Sequence, residues 1–205
     1  MLSVRADVRV CFIGDSFVNG TGDPDCLGWA GRLCAAVRRA GHDLTYYNLG
    51  VRRETSADIA ARWRGEVMPR LPTTAVGRLV FSFGVNDTTE EEGAPRVPLA
   101  ASLDYLRDIL AAAAPRFSTL VVGPPPIADA VQNARIGALS AAFAELCADH
   151  AVPYLEVCRP LVQSAVWCAE VAAGDGAHPN AGGYRELAGL VQAWPAWQAW
   201  WPAVR

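Results

Sequence analysis

The sequence predicts an α/β fold, in which a five-stranded parallel sheet is covered by helices on both faces. Short apolar runs rich in β-forming residues alternate with helical patterns along the whole chain, and the connections between them are short. Buried parallel strands joined by helices produce this alternation. The 205 residues, of which 52% are hydrophobic and 19% charged, are enough for a sizeable core. The chain is therefore expected to form a single domain over residues 1–205.

Five apolar runs define the predicted strands, and a glycine follows four of them. The runs are residues 8–13, 44–49, 79–83, 120–122 and 152–157, and the glycines are Gly14, Gly50, Gly84 and Gly123. A glycine directly after a buried strand is typical of a sharp turn. Pro153 lies near the start of the fifth run, and its missing N–H group favours an edge position for that strand.

Helical periodicity accounts for most of the sequence between the strands. It predicts helices over residues 30–40, 56–63, 99–113, 133–150, 163–172 and 181–191. Ser56 and Asn180 are the expected caps of the second and the last of these helices. Residues 88–98 contain three consecutive glutamates and two prolines, so we expect an exposed, mobile loop there.

The C-terminal tail, residues 194–205, is rich in tryptophan. It contains four of the seven tryptophans of the chain, at positions 194, 197, 200 and 201. One interpretation is a terminal segment that packs on the body of the domain. The other is a homo-oligomer interface, because exposed tryptophan patches mark protein contacts.

Composition excludes several classes of partner. The net charge is −3 and the basic residues are scattered, which argues against nucleic acid. No apolar run reaches transmembrane length, so no integral membrane contact is expected. The first residues show no signal-peptide pattern, which favours a cytoplasmic location. The six cysteines form neither a C-x-x-C pair nor a Cys/His ligand pattern, so we expect buried thiols and no metal or other cofactor.

Three polar or small residues follow three different strands of the predicted sheet. The carboxyl ends of parallel strands share one edge, where ligands bind in open α/β folds. Ser16, Gly50 and Asn86 should therefore be neighbours there. A serine hydroxyl attacks a carbonyl when a base removes its proton, and the resulting oxyanion needs hydrogen-bond donors. The N–H groups of Ser16 and Gly50 and the Asn86 amide would form such an oxyanion hole.

The base for such a serine must be a histidine or an equivalent group, and the chain has three histidines. His42 follows a helix-ending glycine and His150 ends a helix, so surface positions explain both. His178 lies in a glycine-rich loop, three residues after Asp175. That spacing lets the carboxylate accept from Nδ1–H and leaves Nε2 to face the serine. The alternative is an ordinary turn before a helix capped by Asn180.

With these residues assembled, the chain resembles the GDSL, or SGNH, hydrolase family. The resemblance covers essentially the whole chain and rests on four blocks in the expected order. They are Gly14-Asp15-Ser16, Gly50 after Asn48-Leu49, Gly84-x-Asn86-Asp87 and Asp175-x-x-His178-Pro179. Gly-Asp-Ser alone is a weak signal, whereas four blocks in register are specific.

The resemblance implies a three-layer α/β/α sandwich related to flavodoxin, and hydrolysis of a small-molecule acyl ester without a cofactor or metal. It implies Ser16 as the nucleophile, His178 as general base and acid, and Asp175 as the carboxylate that orients the histidine. It also implies an oxyanion hole from Ser16, Gly50 and Asn86. Asp15 and Asp87 match motif positions and are expected to brace the loops.

Two departures from the family pattern stand next to the site residues. Phe17 follows Ser16 where the four-letter motif has leucine, a difference expected not to affect the mechanism. Arg52 and Arg53 follow Gly50 where small residues often occur, and they either line the mouth of the site or are simply solvated.

The leading hypothesis is a serine esterase that cleaves short-chain carboxylic esters through a covalent acyl-enzyme. A thioesterase or a deacetylase of sugars or metabolites would use the same residues, and the motif blocks do not distinguish these substrates. A different class is a non-catalytic, flavodoxin-like module that binds a phosphorylated or flavin ligand. That class does not explain why Asn86, Asp175 and His178 are all present.

Overall fold

The computed structural model describes residues 6–203. Residues 1–5, which bear on the signal-peptide expectation, and residues 204–205 of the expected tail lie outside the described residues. Seven strands are found between residues 6 and 203: β1 (Val8–Gly14), β2 (Leu44–Gly50), β3 (Val76–Ser82), β4 (Glu90–Glu91), β5 (Ala94–Pro95), β6 (Ser118–Val122) and β7 (Tyr154–Leu155).

The helices alternate with these strands along the chain. They are α1 (Ser16–Asn19), α2 (Gly28–Arg39), α3 (Ser56–Val67), α4 (Leu99–Ala113), α5 (Ala130–Asp149), α6 (Cys158–Val162), α7 (Ala165–Ala173), α8 (Ala181–Ala193) and α9 (Pro195–Gln198). Three of these, α1, α6 and α9, were not expected from the sequence, because helices of four or five residues are too short to show periodicity.

Five strands form one parallel sheet in the order β2-β1-β3-β6-β7. This is the flavodoxin-like order, in which the chain changes direction across the sheet between β1 and β3. Gly14 at the end of β1 pairs with Gly50 on one side and Ser82 on the other. The segments that follow these three strands therefore meet at the point where ligands bind in such sheets.

The core has one layer on each face of the sheet. Neighbouring residues of a strand point to opposite faces, so Val10 and Phe12 pack with α1, α2 and α8. Cys11 and Ile13 pack with α3, α4 and α5 on the other face. Burying each large side chain stabilises the fold by about 1.5–3 kcal/mol. The predicted three-layer α/β/α sandwich is confirmed.

The fifth strand of the sheet is shorter than predicted. Only Tyr154 and Leu155 pair with β6, although the strand does lie at the edge of the sheet. Pro153 accepts a bond from Val121 N–H but has no N–H of its own to extend the ladder. The helix expected over 163–172 is α7, which begins after Ser164 because the Ser164 hydroxyl accepts from Trp167 N–H.

The segment expected to be a mobile loop, residues 88–98, contains the antiparallel hairpin β4–β5. Glu92 and Gly93 both have positive φ, at 54° and 82°, which suits a tight hairpin turn. Backbone hydrogen bonds from Arg96 N–H to Thr89 and from Val97 N–H to Asp87 fasten its base. The segment is exposed as expected, but it is structured.

The tryptophans of the tail pack against the body of the domain. Trp197 is only 2% exposed and contacts the rings of Phe12, Trp200 and Trp201. Arg78 lies over the rings of Trp200 and Trp201 and donates to the Trp200 carbonyl at 2.6 Å. These contacts anchor the described part of the tail to the start of β3.

The cysteines only partly follow the expectation of buried thiols. Four are buried, and burial raises the pKa of Cys11 to about 12, so it is a protonated core residue. Cys26 and Cys168 are exposed, because they lie in a surface loop and on the solvent side of α7. All six are free thiols. Among residues 6–203, no helix is long and apolar enough to cross a bilayer.

Candidate active site

The serine of the first motif block begins the helix that follows β1. Asp15 caps this helix, because its Oδ1 accepts from Phe17 N–H at 2.9 Å. Ser16 is the first helical residue and is 4% exposed. The turn between β1 and α1 therefore holds the serine hydroxyl at the carboxyl edge of the sheet, as the sequence predicts.

The structure brings Ser16, His178 and Asp175 together. The Ser16 Oγ lies 2.7 Å from His178 Nε2, although the two residues are 162 positions apart. His178 Nδ1 lies 2.7 Å from Asp175 Oδ2. Because a carboxylate can only accept, Nδ1 is the donor, and Nε2 is left to accept a proton from the serine. This is the geometry of a nucleophile, a base and an orienting acid.

Asp175 is held in place by three hydrogen bonds. Its Oδ1 accepts from the N–H groups of Ala177 at 3.0 Å and His178 at 2.8 Å, and its Oδ2 faces the imidazole. Burial raises the pKa of this carboxyl, but the hydrogen bonds outweigh burial and lower it to about 2. Asp175 is therefore ionised at neutral pH and supports the tautomer that the serine requires.

Two of the three expected oxyanion donors already have partners within the protein. Gly50 N–H donates to the Oδ1 of Asn48 at 3.0 Å. The Asn86 amide donates to the Glu54 carbonyl at 2.9 Å, which uses one of its two N–H bonds. Both residues lie at the predicted edge of the sheet.

Close backbone packing explains the glycine at position 50. A Cβ there would collide with the backbone nitrogen of Asn19 and approach the carbonyl of Asp15 to 2.7 Å. Asn48 reinforces the same contact by donating to the Val18 carbonyl at 2.8 Å. No function was predicted for Asn48 from the sequence, and its position two residues before Gly50 was the available signal.

Asp15 and Asp87 brace the loops of the site, as the resemblance implies. Asp87 accepts from Ser56 N–H at 2.8 Å and from the Ser102 hydroxyl at 2.7 Å, which ties the loop after β3 to α3 and α4. Burial raises the pKa of Asp87. Burial also raises the pKa of Asp15, to about 7, and its Oδ2 has no partner among the described residues.

The helix that follows the histidine loop is capped differently from the prediction. Asn180 occupies the cap position of α8, but its side chain makes no capping bond. Glu170 of α7 takes this role, because its carboxylate accepts from the N–H groups of Gly182 at 3.1 Å and Gly183 at 2.6 Å. Glu170 thus anchors α8 three residues after His178.

Phe17 contacts His178, and Gly22 lies close to the loop that carries this histidine. The Phe17 ring centroid lies 4.9 Å from the centroid of the imidazole. Gly22 has a φ of +90°, and a Cβ there would lie 3.2 Å from His178 Cβ and 2.8 Å from the Pro179 carbonyl oxygen. The contact between Phe17 and His178 was not predicted from the sequence. The available signal was that this chain has phenylalanine at a position where the family motif has leucine.

Arg52 and Arg53 lie in the loop after Gly50, and both are exposed. The Arg53 side chain is 81% exposed and lies 3.8 Å from Glu91. Within residues 6–203, no group of three or more His, Cys, Asp or Glu side chains is arranged to hold a metal ion. The groups that the described residues bring together at the site are the serine hydroxyl, the imidazole, the carboxylate and nearby amide groups.

The fold and the family match define an ester hydrolase. Residues 12–186 match the GDSL-like Lipase/Acylhydrolase family, and the chain belongs to that family. It is therefore a hydrolase that acts on ester bonds, and the resemblance inferred from the motif blocks is confirmed. No curated protein matches the sequence.

Several solved structures are similar in fold. An acetylxylan esterase from Geobacillus stearothermophilus has a TM-score of 0.75 at 16% identity, with 91% of this chain and 93% of that chain covered. A lipase/acylhydrolase from Enterococcus faecalis has a TM-score of 0.73 at 21% identity, with 90% and 93% covered. An alpha/beta hydrolase from the metagenome of Lake Arreo has a TM-score of 0.73 at 21% identity, with 92% and 95% covered. At these identities the comparison shows a shared fold.

Proposed function

We propose that this protein is a serine esterase that cleaves carboxylic esters with short acyl groups through a covalent intermediate on Ser16. The observation that carries the proposal is the continuous hydrogen-bonded series from Ser16 Oγ through His178 to Asp175, with both contacts at 2.7 Å. A nucleophile within hydrogen-bond reach of a base, which is oriented by a third group, is the arrangement that activates a serine.

In the acylation step, Ser16 Oγ attacks the ester carbonyl while its proton passes to His178 Nε2. The carbonyl oxygen becomes an oxyanion, which receives hydrogen bonds from Ser16 N–H, Gly50 N–H and the Asn86 amide. One such donor is worth about 3 kcal/mol of transition-state stabilisation. The intermediate then collapses, the C–O bond to the alcohol breaks, and the imidazolium returns its proton to the departing alkoxide.

In the deacylation step, water attacks the acyl-serine while His178 Nε2 takes one of its protons. The second tetrahedral intermediate breaks the bond to Ser16 Oγ, which regains the proton from the imidazolium. The products are the carboxylic acid and the free enzyme. Asp175 remains ionised throughout, which agrees with its lowered pKa.

The exposure of the site to solvent supports a substrate with a short acyl group. The side chain of Asp175 is 52% exposed and that of His178 is 11% exposed. The connections at the strand ends, including the hairpin β4–β5, form the surroundings, and within residues 6–203 the chain has no separate lid domain. Acetyl esters, including acetylated sugars of the type named for the similar Geobacillus enzyme, are the first substrates to test.

The central experiment compares wild-type protein with Ser16→Ala on a panel of p-nitrophenyl esters, an acyl thioester and an acetylated xylo-oligosaccharide. We expect hydrolysis to be strongest for acetyl and propionyl esters and to fall by at least about 10³-fold in the variant. A fluorophosphonate probe should label the peptide that contains Ser16. Full activity of a folded Ser16→Ala protein would refute the assignment.

A further inference from the structure

A second surface of the catalytic histidine is covered by an aromatic ring. Phe17 is 2% exposed and lies beside His178, with centroids 4.9 Å apart and ring planes tilted by 38°. The side chain comes from the residue directly after the nucleophile. The main-chain segment that carries Ser16 therefore touches the imidazole twice, through the hydroxyl at Nε2 and through the neighbouring ring.

The Phe17 ring is itself held from behind. Trp167 of α7 stacks on it at a centroid distance of 6.3 Å, with ring planes only 19° apart. The indole N–H of Trp167 donates to the Pro126 carbonyl at 3.0 Å, and its ring also meets Tyr184 edge to face. Phe17 is thus fixed between an anchored indole and the imidazole, and it cannot move away without disturbing both.

Such a ring acts on the charged form of histidine in particular. The face of an aromatic ring is electron-rich and attracts a nearby cation. The imidazole of His178 becomes a cation when it takes the proton of Ser16, and again when it takes a proton from water. A fixed ring at this distance stabilises both charged states and limits rotation of the imidazole away from Ser16 Oγ.

We propose that Phe17 is a positioning residue for the hydrolysis, holding the His178 ring and stabilising its imidazolium through the aromatic face. The inference rests on the proposed function, because it requires His178 to act as the base. It gives a physical role to the position at which this chain departs from the leucine of the family motif.

The other charged and titratable groups near the imidazole must stay constant in a test. They are Asp175 on the same loop, Asp15 before α1, Asp23 in the loop that contains Gly22, Arg32 of α2, which pairs with Asp23, Glu170 of α7 and Tyr184 of α8. Substitutions confined to position 17 leave all of these in place. A change in the pH profile can then be assigned to the ring.

The experiment replaces Phe17 by leucine and, separately, by mono-, di- and trifluorinated phenylalanine. Fluorine withdraws electrons from the ring face while nearly preserving its shape. We expect Phe17→Leu to lower kcat by about 3–10-fold with little change in KM. The midpoint of the acid limb of the kcat/KM profile should move to lower pH by about half a unit. Each added fluorine should lower log kcat by a similar step.

Phe143→Leu is the matched control, because Phe143 is also a buried ring, packed against Phe83 on the other face of the sheet. It should lower the free energy of unfolding but leave the pH profile unchanged. A flat fluorinated series, or an equal shift of the acid limb in the control, would overturn the inference. Because the fluorinated chains retain the shape of phenylalanine, the test holds even where the leucine variant folds poorly.

Ser16→Ala, assayed in parallel, separates this inference from the proposed function. An inactive Ser16→Ala protein combined with a flat fluorinated series rejects the role of Phe17 alone. An active Ser16→Ala protein rejects both.

Discussion

Replacing Asp175 by asparagine tests the link between the geometry of the site and its chemistry. Asparagine keeps one oxygen, which can still accept from Ala177 and His178 N–H, but places an NH₂ group where Oδ2 faces Nδ1. The amide would then donate to Nδ1, and the proton of the imidazole would move to Nε2. In that tautomer His178 cannot accept the proton of Ser16. We expect kcat to fall by about 10³–10⁴-fold.

The same substitution should cost little stability. The hydrogen bonds lower the pKa of Asp175 from 3.8 to about 2, which would correspond to about 2 kcal/mol for a fully buried group. The side chain is 52% exposed, and solvent screening reduces this contribution to about 1 kcal/mol. Because the folded-state pKa lies below that of the unfolded chain, the contribution is present above about pH 4. It is lost as the pH falls towards 2.

The assay pairs ester hydrolysis at pH 7.5 with urea unfolding at pH 7 and pH 3. Asp58→Asn is the matched control, since the Asp58 carboxylate accepts from the N–H and hydroxyl groups of Thr55 at 2.9 and 2.7 Å. These bonds also lower the pKa of Asp58, and none of them comes from a histidine. The control should lose a similar amount of stability and keep its activity within about twofold. An Asp175→Asn enzyme within tenfold of wild-type activity would contradict the assigned role of the carboxylate.

Two further predictions concern stability. Burial raises the pKa of Asp15 in the folded protein to about 7. As the pH rises from about 4, this carboxyl therefore ionises in the unfolded chain before it ionises in the folded protein. The wild-type protein should therefore lose roughly 3 kcal/mol between pH 4 and pH 7 relative to Asp15→Asn. Chemical unfolding across this range measures the difference, and parallel pH profiles of the two proteins would contradict it. Trp197→Ala removes a ring that is 2% exposed and should lower the free energy of unfolding by about 3–5 kcal/mol in a urea titration. A loss below about 1 kcal/mol would show that the tail contributes little to the fold.

The parts of the molecule that follow from local pattern could be predicted from the sequence. Alternating strand and helix periods define a parallel sheet, and that topology alone brings Ser16, Gly50 and Asn86 to one edge. The spacing of Asp175 and His178 is also local, and the predicted contact between them is present at 2.7 Å. These features depend on hydrophobic periodicity and on the reach of a short loop, and residues close together in the sequence determine both.

Short elements and loop structure were predicted less well. The hairpin β4–β5 is stabilised by positive φ values at Glu92 and Gly93 and by bonds to Thr89 and Asp87, and charged composition gave no indication of it. The fifth strand is short because Pro153 cannot donate to the ladder. The composition of a segment indicates whether it is exposed to solvent. The hairpin and the length of the fifth strand depend instead on individual backbone dihedral angles and hydrogen-bond donors.

The sequence by itself determined the fold class, the family and the residues that could form the active site. Only the tertiary structure decided how those residues are held: Glu170 rather than Asn180 caps α8, and Asn48 occupies the Gly50 N–H. It also decided that Phe17 faces His178 with Trp167 behind it. The contacts of Phe17 join segments that are distant in the chain, and their geometry depends on how α1, α7 and the loop before α8 pack on the sheet. Periodicity reports which face of each helix is buried, but it does not report which side chains meet there.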